Sequence, residues 1–241
     1  MELLSTDPLI LTIDSFLTDE ECNHVIKISK DKLAKAKTCY YSKEEQNKIE
    51  DINYKGRTNK SCWLEADTDK IIKSIFNKAS KLLNTDYTFF ETLQVIYYKT
   101  GEEYKHHFDA WDKEETEKFE KYTSERGNRV FTLLFYLNDV IKGGETEFNM
   151  TKTNIKVKCK KGKALLFKNT NEDGSLNKHS LHAGLSVIEG EKWGCNLWLR
   201  EKPKVSVLSE DELLLDDELD LNYIERNSSD EELDLKYIEL E

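Results

Sequence analysis

The sequence lacks the features that would mark a membrane or secreted protein. No stretch approaches the ~20 apolar residues that a helix needs to span a bilayer, and no basic-then-apolar leader opens the chain. No two of the cysteines form a C-x-x-C pair, so neither a zinc site nor a redox motif is indicated. We expect free thiols in a reducing compartment and a cytoplasmic location. The scattered cysteines are Cys22, Cys39, Cys62, Cys159 and Cys195.

Most of the chain also lacks net charge. The formal charge is -11, but residues 201–241 hold 15 acidic and 4 basic residues, whereas residues 1–200 hold 32 of each sign. A neutral body gives no reason to expect nucleic acid or membrane as a partner. Within the acidic tail, residues 218–225 recur as residues 232–239. A disordered low-complexity tail is the default interpretation, and a segment that binds a protein partner is the alternative.

Two helices are predicted near the beginning of the chain. A strand over residues 9–16 is followed by Thr18 and, three residues later, Glu21, the pattern of a capping box. A second helix is expected over residues 67–83, with its isoleucines turned inward.

After residue 92 the pattern changes to β-rich segments separated by glycine-containing turns. Several strands with irregular turns and no helices between them favour a mainly β fold, an antiparallel sandwich or barrel with flanking helices. The charged residues 110–126 are expected to form a mobile surface loop. We expect a supporting region (residues 1–91), a β core (92–200) and a tail (201–241).

His107-Phe108-Asp109 is the first candidate for metal chemistry. In an extended segment, residues i and i+2 point to the same side, so the imidazole and the carboxylate can converge on one ion. Two histidines and one carboxylate form the facial triad of non-haem iron(II) oxygenases. His179 and His182 are the candidates for the third ligand. Alone, H-x-D is a weak signal, and a structural histidine is the competing interpretation.

The flanking sequence resembles the prolyl 4-hydroxylase family of iron(II)/2-oxoglutarate-dependent dioxygenases. Residues 98–109 match Y-x-x-G-x-x-Y-x-x-H-x-D, and residues 129–138 match R-x-x-T-x-x-x-Y-L-N. Four further blocks follow in the family's order: G-G-E-T-x-F at 143–148, K-G-x-A-L-x-F at 161–167, S-L-H-A-G at 180–184 and G-x-K-W at 190–193. The resemblance implies a double-stranded β-helix (jelly-roll) core, like that of the compact enzymes of algae, bacteria and large viruses.

The resemblance also implies the site residues. His107, Asp109 and His182 would be the iron ligands and Lys192 the anchor of 2-oxoglutarate, because Lys192 follows His182 at the family's spacing of ten residues. Tyr98 and Thr132 would supply hydroxyl groups to the same co-substrate. The implied reaction is 4-hydroxylation of peptidyl proline with molecular oxygen, which releases succinate and carbon dioxide, with ascorbate as a further cofactor.

For the peptide substrate, the resemblance points to Arg57, Tyr104 and Trp198, since aromatic faces suit proline rings. Two departures from the family put the peptide preference in doubt: Asn59 stands where serine is usual, and Arg200 where many relatives carry histidine.

Three alternatives remain at this point. The chain could act on another protein side chain, a nucleic acid or a small molecule, although nucleic-acid demethylases and lysyl hydroxylases usually anchor 2-oxoglutarate through arginine. It could instead be an inactive barrel that serves as a binding module through its tail. A zinc hydrolase could use the same two histidines and aspartate, but it has no use for Lys192.

Overall fold

The computed structural model describes residues 1–37 and 56–204. The repeats of the tail and residues 38–55, which include Cys39, lie outside the described residues. The described helices are α1 (Asp19–Ser29), α2 (Lys70–Leu82) and α3 (Thr116–Thr123). The described strands are β1 (Glu2–Thr6), β2 (Leu9–Ile13), β3 (Ala34–Lys35), β4 (Lys60–Leu64), β5 (Leu93–Lys99), β6 (Tyr104–His107), β7 (Arg129–Tyr136), β8 (Lys142–Gly143), β9 (Thr146–Phe148), β10 (Ile155–Val157), β11 (Ala164–Lys168), β12 (His182–Gly184), β13 (Val187–Glu189) and β14 (Glu191–Arg200).

The strands form antiparallel sheets, which confirms the prediction of a mainly β architecture. A major sheet has the order β1-β2-β11-β7-β14-β5-β4-β3, and a minor sheet has the order β10-β9-β12-β6. Strands β8 and β13 make a separate two-stranded ribbon. Strand β6 therefore lies at one edge of the minor sheet, with β12 as its strand neighbour there.

The alternation of side chains along β7 shows how the core is divided. Leu133 and Phe135 belong to a cluster that includes the buried faces of α1 and α2. Leu134 and Tyr136 point the other way and pack with residues of the minor sheet such as Phe148. Because successive strand residues point to opposite faces, the major sheet is covered by helices on one side and by the minor sheet on the other.

Both early helices begin at side-chain caps. Thr18 accepts a hydrogen bond from the backbone of Glu21, and the Glu21 carboxylate accepts one from the backbone of Thr18, so the predicted capping box is confirmed. Helix α2 begins at Lys70, later than expected, because the carboxylate of Asp69 accepts hydrogen bonds from Ile71 N and Ile72 N. Such a cap fixes where helical hydrogen bonding begins.

The prediction of a mobile loop over residues 110–126 was wrong. Helix α3 occupies residues Thr116–Thr123, and Trp111 is buried against it with its ring stacked on Tyr122 at 5.2 Å between centroids. The side chain of Asn128 donates to Trp111 O and accepts from Trp111 N. The charged composition of the segment reflects its outer face, whereas the two aromatic residues attach it to the core.

Among the described residues, no helix is both long and apolar enough to cross a membrane.

Candidate metal centre

Two neighbouring strands bring the predicted ligands together. Strands β6 and β12 pair antiparallel with His107 opposite His182, and Asp109 follows two residues after His107. The His107 Nε2–Asp109 Oδ1 distance is 3.7 Å, and the His182 Nε2–Asp109 Oδ2 distance is also 3.7 Å. One ligand atom from each residue lies within 4.8 Å of the other two. All three side chains therefore face one small space.

Backbone carbonyls fix the tautomer of both histidines. His107 Nδ1 lies 2.8 Å from Lys105 O, and His182 Nδ1 lies 2.9 Å from Ser180 O. A carbonyl oxygen only accepts hydrogen bonds, so each Nδ1 carries the proton. Each Nε2 is then left with its lone pair directed at Asp109, which is the arrangement that a metal ligand requires.

The carboxylate of Asp109 is oriented by a buried polar relay. Thr132 Oγ1 donates to Asp109 Oδ2 at 2.7 Å, and Asn169 Nδ2 donates to Thr132 Oγ1 at 2.9 Å. The structure thus places the Thr132 hydroxyl on a candidate ligand. Asn169 was not predicted, because it lies directly after β11 and no local sequence pattern connects it to Asp109.

The protonation states also suit a metal. Burial, followed by repulsion from His182, lowers the pKa of His107 below its ordinary value, so its imidazole is neutral. Burial opposes ionisation of Asp109, but electrostatic interactions with the neighbouring His182, His107 and Arg129 outweigh it and hold the pKa of that carboxyl below its ordinary range. Neutral imidazole and ionised carboxylate are the forms that bind a cation.

Lys192 is a buried ammonium group close to these ligands in the fold. Its side chain is 1% exposed, and Nζ donates to Gly144 O at 2.7 Å. The rings of Tyr98 and Tyr136 lie 5.3 Å and 5.6 Å from Nζ. Within the described part of the chain, no carboxylate lies within 4.0 Å of this ammonium. A desolvated cation without a counterion is costly, so these surroundings are suited to an anionic ligand.

Gly184 and Tyr98 lie close to this ammonium. A Cβ built on Gly184 would lie 3.6 Å from the Tyr98 hydroxyl and 3.8 Å from Lys192 Nζ, so strand β12, which also carries His182, passes directly beside the cation. Burial raises the pKa of Tyr98, so its phenol remains protonated. The hydroxyl can therefore donate to an anion bound at Lys192.

A cavity of about 470 Å³ opens in front of His107 and Asp109. All three residues predicted to contact a peptide line it. Arg57 stacks over the Tyr104 ring at 4.4 Å, and Tyr104 stacks on His107 with ring centroids 3.5 Å apart. Trp198 is 4% exposed and lies under the guanidinium of Arg129 at 3.8 Å. The walls are thus aromatic and cationic.

The remaining two histidines of this region lie elsewhere. His106 points away from the ligands, with Nε2 at 3.3 Å from Glu147 Oε2. His179 Nδ1 lies 3.1 Å from Asp7 Oδ2 at the surface. Of the two histidines left open by the H-x-D pattern, the structure brings His182 to the cluster and not His179.

Comparison with known proteins identifies the family. Residues 93–200 match the model of the 2OG-Fe(II) oxygenase superfamily. The chain is 32% identical to prolyl 4-hydroxylase 2 of Arabidopsis thaliana over 228 residues, which cover 86% of this chain and 72% of that protein. It belongs to the prolyl 4-hydroxylase family. Another member, probable prolyl 4-hydroxylase 7 of the same plant, is 32% identical over 215 residues, 83% of this chain and 65% of its own length. The chain thus spans less than two thirds of that relative.

A solved structure supports the same family membership. The viral collagen prolyl hydroxylase from Paramecium bursaria Chlorella virus-1, determined with 2OG, is 30% identical, with a TM-score of 0.60 over 79% of this chain and 95% of that one. The double-stranded β-helix expected for the core is confirmed by this match and by the sheets. The donor set also fits the two groups in the superfamily's name: two imidazoles and a carboxylate suit ferrous iron, and Lys192, which has no carboxylate within 4.0 Å among the described residues, suits a dicarboxylate.

Proposed function

We propose that this chain is a 2-oxoglutarate-dependent dioxygenase that hydroxylates peptidyl proline at the 4-position and releases succinate and carbon dioxide. The observation that supports it is the convergence of His107, Asp109 and His182 close to the buried Lys192, which has no carboxylate within 4.0 Å in the described part of the chain. A structural histidine cluster would not need an ammonium group without a counterion in the same core.

His107, Asp109 and His182 would hold ferrous iron through Nε2, a carboxylate oxygen and Nε2. Lys192 would bind the distal carboxylate of 2-oxoglutarate, with the Tyr98 hydroxyl as a second donor. When bound, Fe(II) and 2-oxoglutarate would supply the electrons that activate molecular oxygen, so that one oxygen atom could enter a C–H bond of the substrate and the other could end in succinate. Thr132 acts here as a positioning residue, since its hydroxyl orients Asp109; its predicted contact with the co-substrate stays a prediction.

The protein's own contribution is to hold substrate and exclude water. Tyr104 and Trp198 line the mouth of the site, where the exposed parts of their rings would contact a proline ring. Arg57 stacks on Tyr104 from behind and stiffens this wall. Correct placement of the reacting carbon is a large part of any rate enhancement. We propose that ascorbate supports repeated turnover, and that residues 201–241 lie outside the catalytic unit.

Anaerobic loading with Fe(II) and 2-oxoglutarate, followed by oxygen and a panel of proline-containing peptides, tests the function. We expect a gain of one oxygen atom on proline, with one succinate formed for each hydroxylation. Asp109→Ala should reduce both products at least about 1,000-fold, because it removes a metal ligand, whereas exposed Glu120→Ala should not. Normal succinate formation by Asp109→Ala would exclude this metal site, and hydroxylation of another residue would exclude the proline assignment.

A further inference from the structure

One end of the cavity carries three cations that the backbone holds together. Arg57 Nη1 donates to Lys37 O at 3.1 Å, and Lys105 N donates to Gly56 O at 2.8 Å. Residue 57 also forms a β-bridge with Tyr104. Lys37, Arg57 and Lys105 all line the cavity, and we call them the cationic end.

Arg57 is buried among neutral acceptors. Its side chain is 8% exposed, and its guanidinium donates to Asn59 Oδ1 at 3.0 Å, to Lys37 O at 3.1 Å and to Gln94 Oε1 at 3.3 Å. Across residues 1–37 and 56–204, no carboxylate lies within 4.0 Å of Arg57. Buried guanidinium groups are usually paired with an anion, so its charge is left for a ligand.

The two lysines of the cationic end also lack an acidic partner in the described part of the chain. Lys37 and Lys105 are exposed, and neither has a carboxylate within 4.0 Å among the described residues. Elsewhere around the cavity, charges are matched: Lys178 pairs with Asp112, and Lys118 pairs with Glu115. The imbalance is therefore local to the cationic end.

The distance between the cationic end and the candidate metal ligands determines how many residues of a bound peptide would separate the two contacts. Tyr104 stacks on His107 at 3.5 Å, and Arg57 lies 4.4 Å from the Tyr104 ring. An extended peptide advances about 3.3–3.6 Å per residue. Two stacking layers therefore correspond to roughly two residues between the target proline and a side chain at Arg57.

We propose that the cationic end is a subsite for an acidic side chain of the substrate, within about two residues of the hydroxylated proline. The inference rests on the proposed function and specifies its substrate class: acidic proline-containing peptides. Arg57 supplies the desolvated, directional contact, and Lys37 and Lys105 add attraction at the rim that salt weakens.

Peptides with a single proline test this subsite in the full-length protein. Glu or Asp is placed one or two residues before or after the proline, with Gln or Asn in matched peptides. Binding is measured by fluorescence anisotropy under anaerobic conditions, and hydroxylation is measured separately as kcat/KM. At the best position we expect the acidic peptide to bind about tenfold tighter than its amide counterpart, equivalent to ~1.4 kcal/mol.

Three variants test whether the residues of the cationic end cause the preference for acidic peptides. Gln94→Glu gives Arg57 an internal carboxylate, and the ratio of acidic to amide affinity should fall to about one. The double variant Lys37→Gln/Lys105→Gln should reduce the ratio by about threefold, and Lys37→Glu/Lys105→Glu should shift the preference towards lysine-containing peptides. Lys73→Gln, on the exposed side of α2 and outside the cavity lining, is the matched control that should retain the wild-type ratio.

The outcomes separate the two proposals. Equal binding of acidic and amide peptides at every position overturns the subsite, even if both are hydroxylated and the proposed function stands. An acidic preference that persists undiminished in both Gln94→Glu and Lys37→Gln/Lys105→Gln also overturns it. Tighter binding of acidic peptides without hydroxylation of proline supports the subsite and overturns the proposed function.

Discussion

At the scale of single residues, the site depends on a lysine side chain that is buried without an acidic partner among the described residues. Lys192 is almost fully buried, and a backbone carbonyl, Gly144 O, is its hydrogen-bond acceptor. A carbonyl satisfies one N–H but does not neutralise the charge. The ligand-free protein therefore bears a desolvation cost that an anion would offset.

Lys192→Met tests this balance, because it keeps the length of the side chain and removes its charge. We expect the ligand-free variant to be at least as stable as wild type, while its affinity for 2-oxoglutarate falls about 100-fold with the loss of a buried charge pair. Thermal unfolding with and without 2-oxoglutarate, in the Fe(II)-loaded protein without oxygen, measures both effects. Lys158→Met, at an exposed position, is the control. An unchanged affinity in Lys192→Met would remove this residue from the site.

At the scale of elements, one carboxylate joins three strands. Glu91, just before β5, accepts hydrogen bonds from Arg129 Nε and Nη2 at 2.6 Å and 2.7 Å. Arg200 Nε, at the end of β14, lies 3.4 Å from Glu91 Oε1. Burial opposes ionisation of Glu91, but Arg129, Arg200 and Arg126 outweigh it and hold its pKa below the ordinary value. The same Arg129 packs on Trp198, so this cluster also supports the cavity wall.

Glu91→Gln should lower the free energy of unfolding by about 3–5 kcal/mol at pH 7, because it leaves buried guanidinium groups without their counterion. The folded pKa of Glu91 lies below its unfolded value of about 4.3. Its stabilisation is therefore complete above that value and is lost as the pH falls through the folded pKa. Urea denaturation from pH 7 downward should show the gap between wild type and variant shrinking in acid. Glu120→Gln, at an exposed position of α3, should match wild type throughout; equal stability of Glu91→Gln at pH 7 would contradict the argument.

Elements that depend on contacts between neighbouring residues could be predicted from the sequence, whereas features that depend on contacts between distant residues could not. The capping box at Thr18 and the strand β5 depend on neighbouring residues, and both were predicted from sequence. Helix α3 was missed because Trp111 and Tyr122 hold it in place from opposite ends of a charged segment.

The family motifs identified His182, whereas the H-x-D pattern alone left His179 equally eligible. Asn169 could not be predicted, since its contact with Thr132 exists only once β7 and β11 have paired.

At the scale of the whole molecule, residues 1–204 form one compact unit. The unit includes every residue assigned to the site, together with the helices and strands that support them. The acidic residues 205–241 follow this unit in the chain and lie outside the described residues. The charge of the chain is divided along the same boundary, because the body is nearly neutral and the tail is strongly acidic.

Deletion of residues 205–241 tests whether the acidic tail contributes to stability or to activity. We expect the remaining chain to keep its melting temperature to within about 2 °C and its kcat/KM for a short proline peptide to within about twofold, since the stabilising contacts and the site lie in the first unit. Differential scanning calorimetry and the coupled succinate assay measure these quantities. A large loss of either would place the tail within the catalytic unit.

The edge position of β6 has a consequence for the protein without metal. This strand carries His107 as well as Tyr104 and Lys105, and β12 is its neighbour in the minor sheet. A ferrous ion bound to His107 and His182 would act as a cross-link between two chain segments that are distant in sequence. The ion would add to the hydrogen bonds that β12 and residues 56–58 already make with this part of the chain, and so would steady the cavity wall that carries His107, Tyr104 and Lys105.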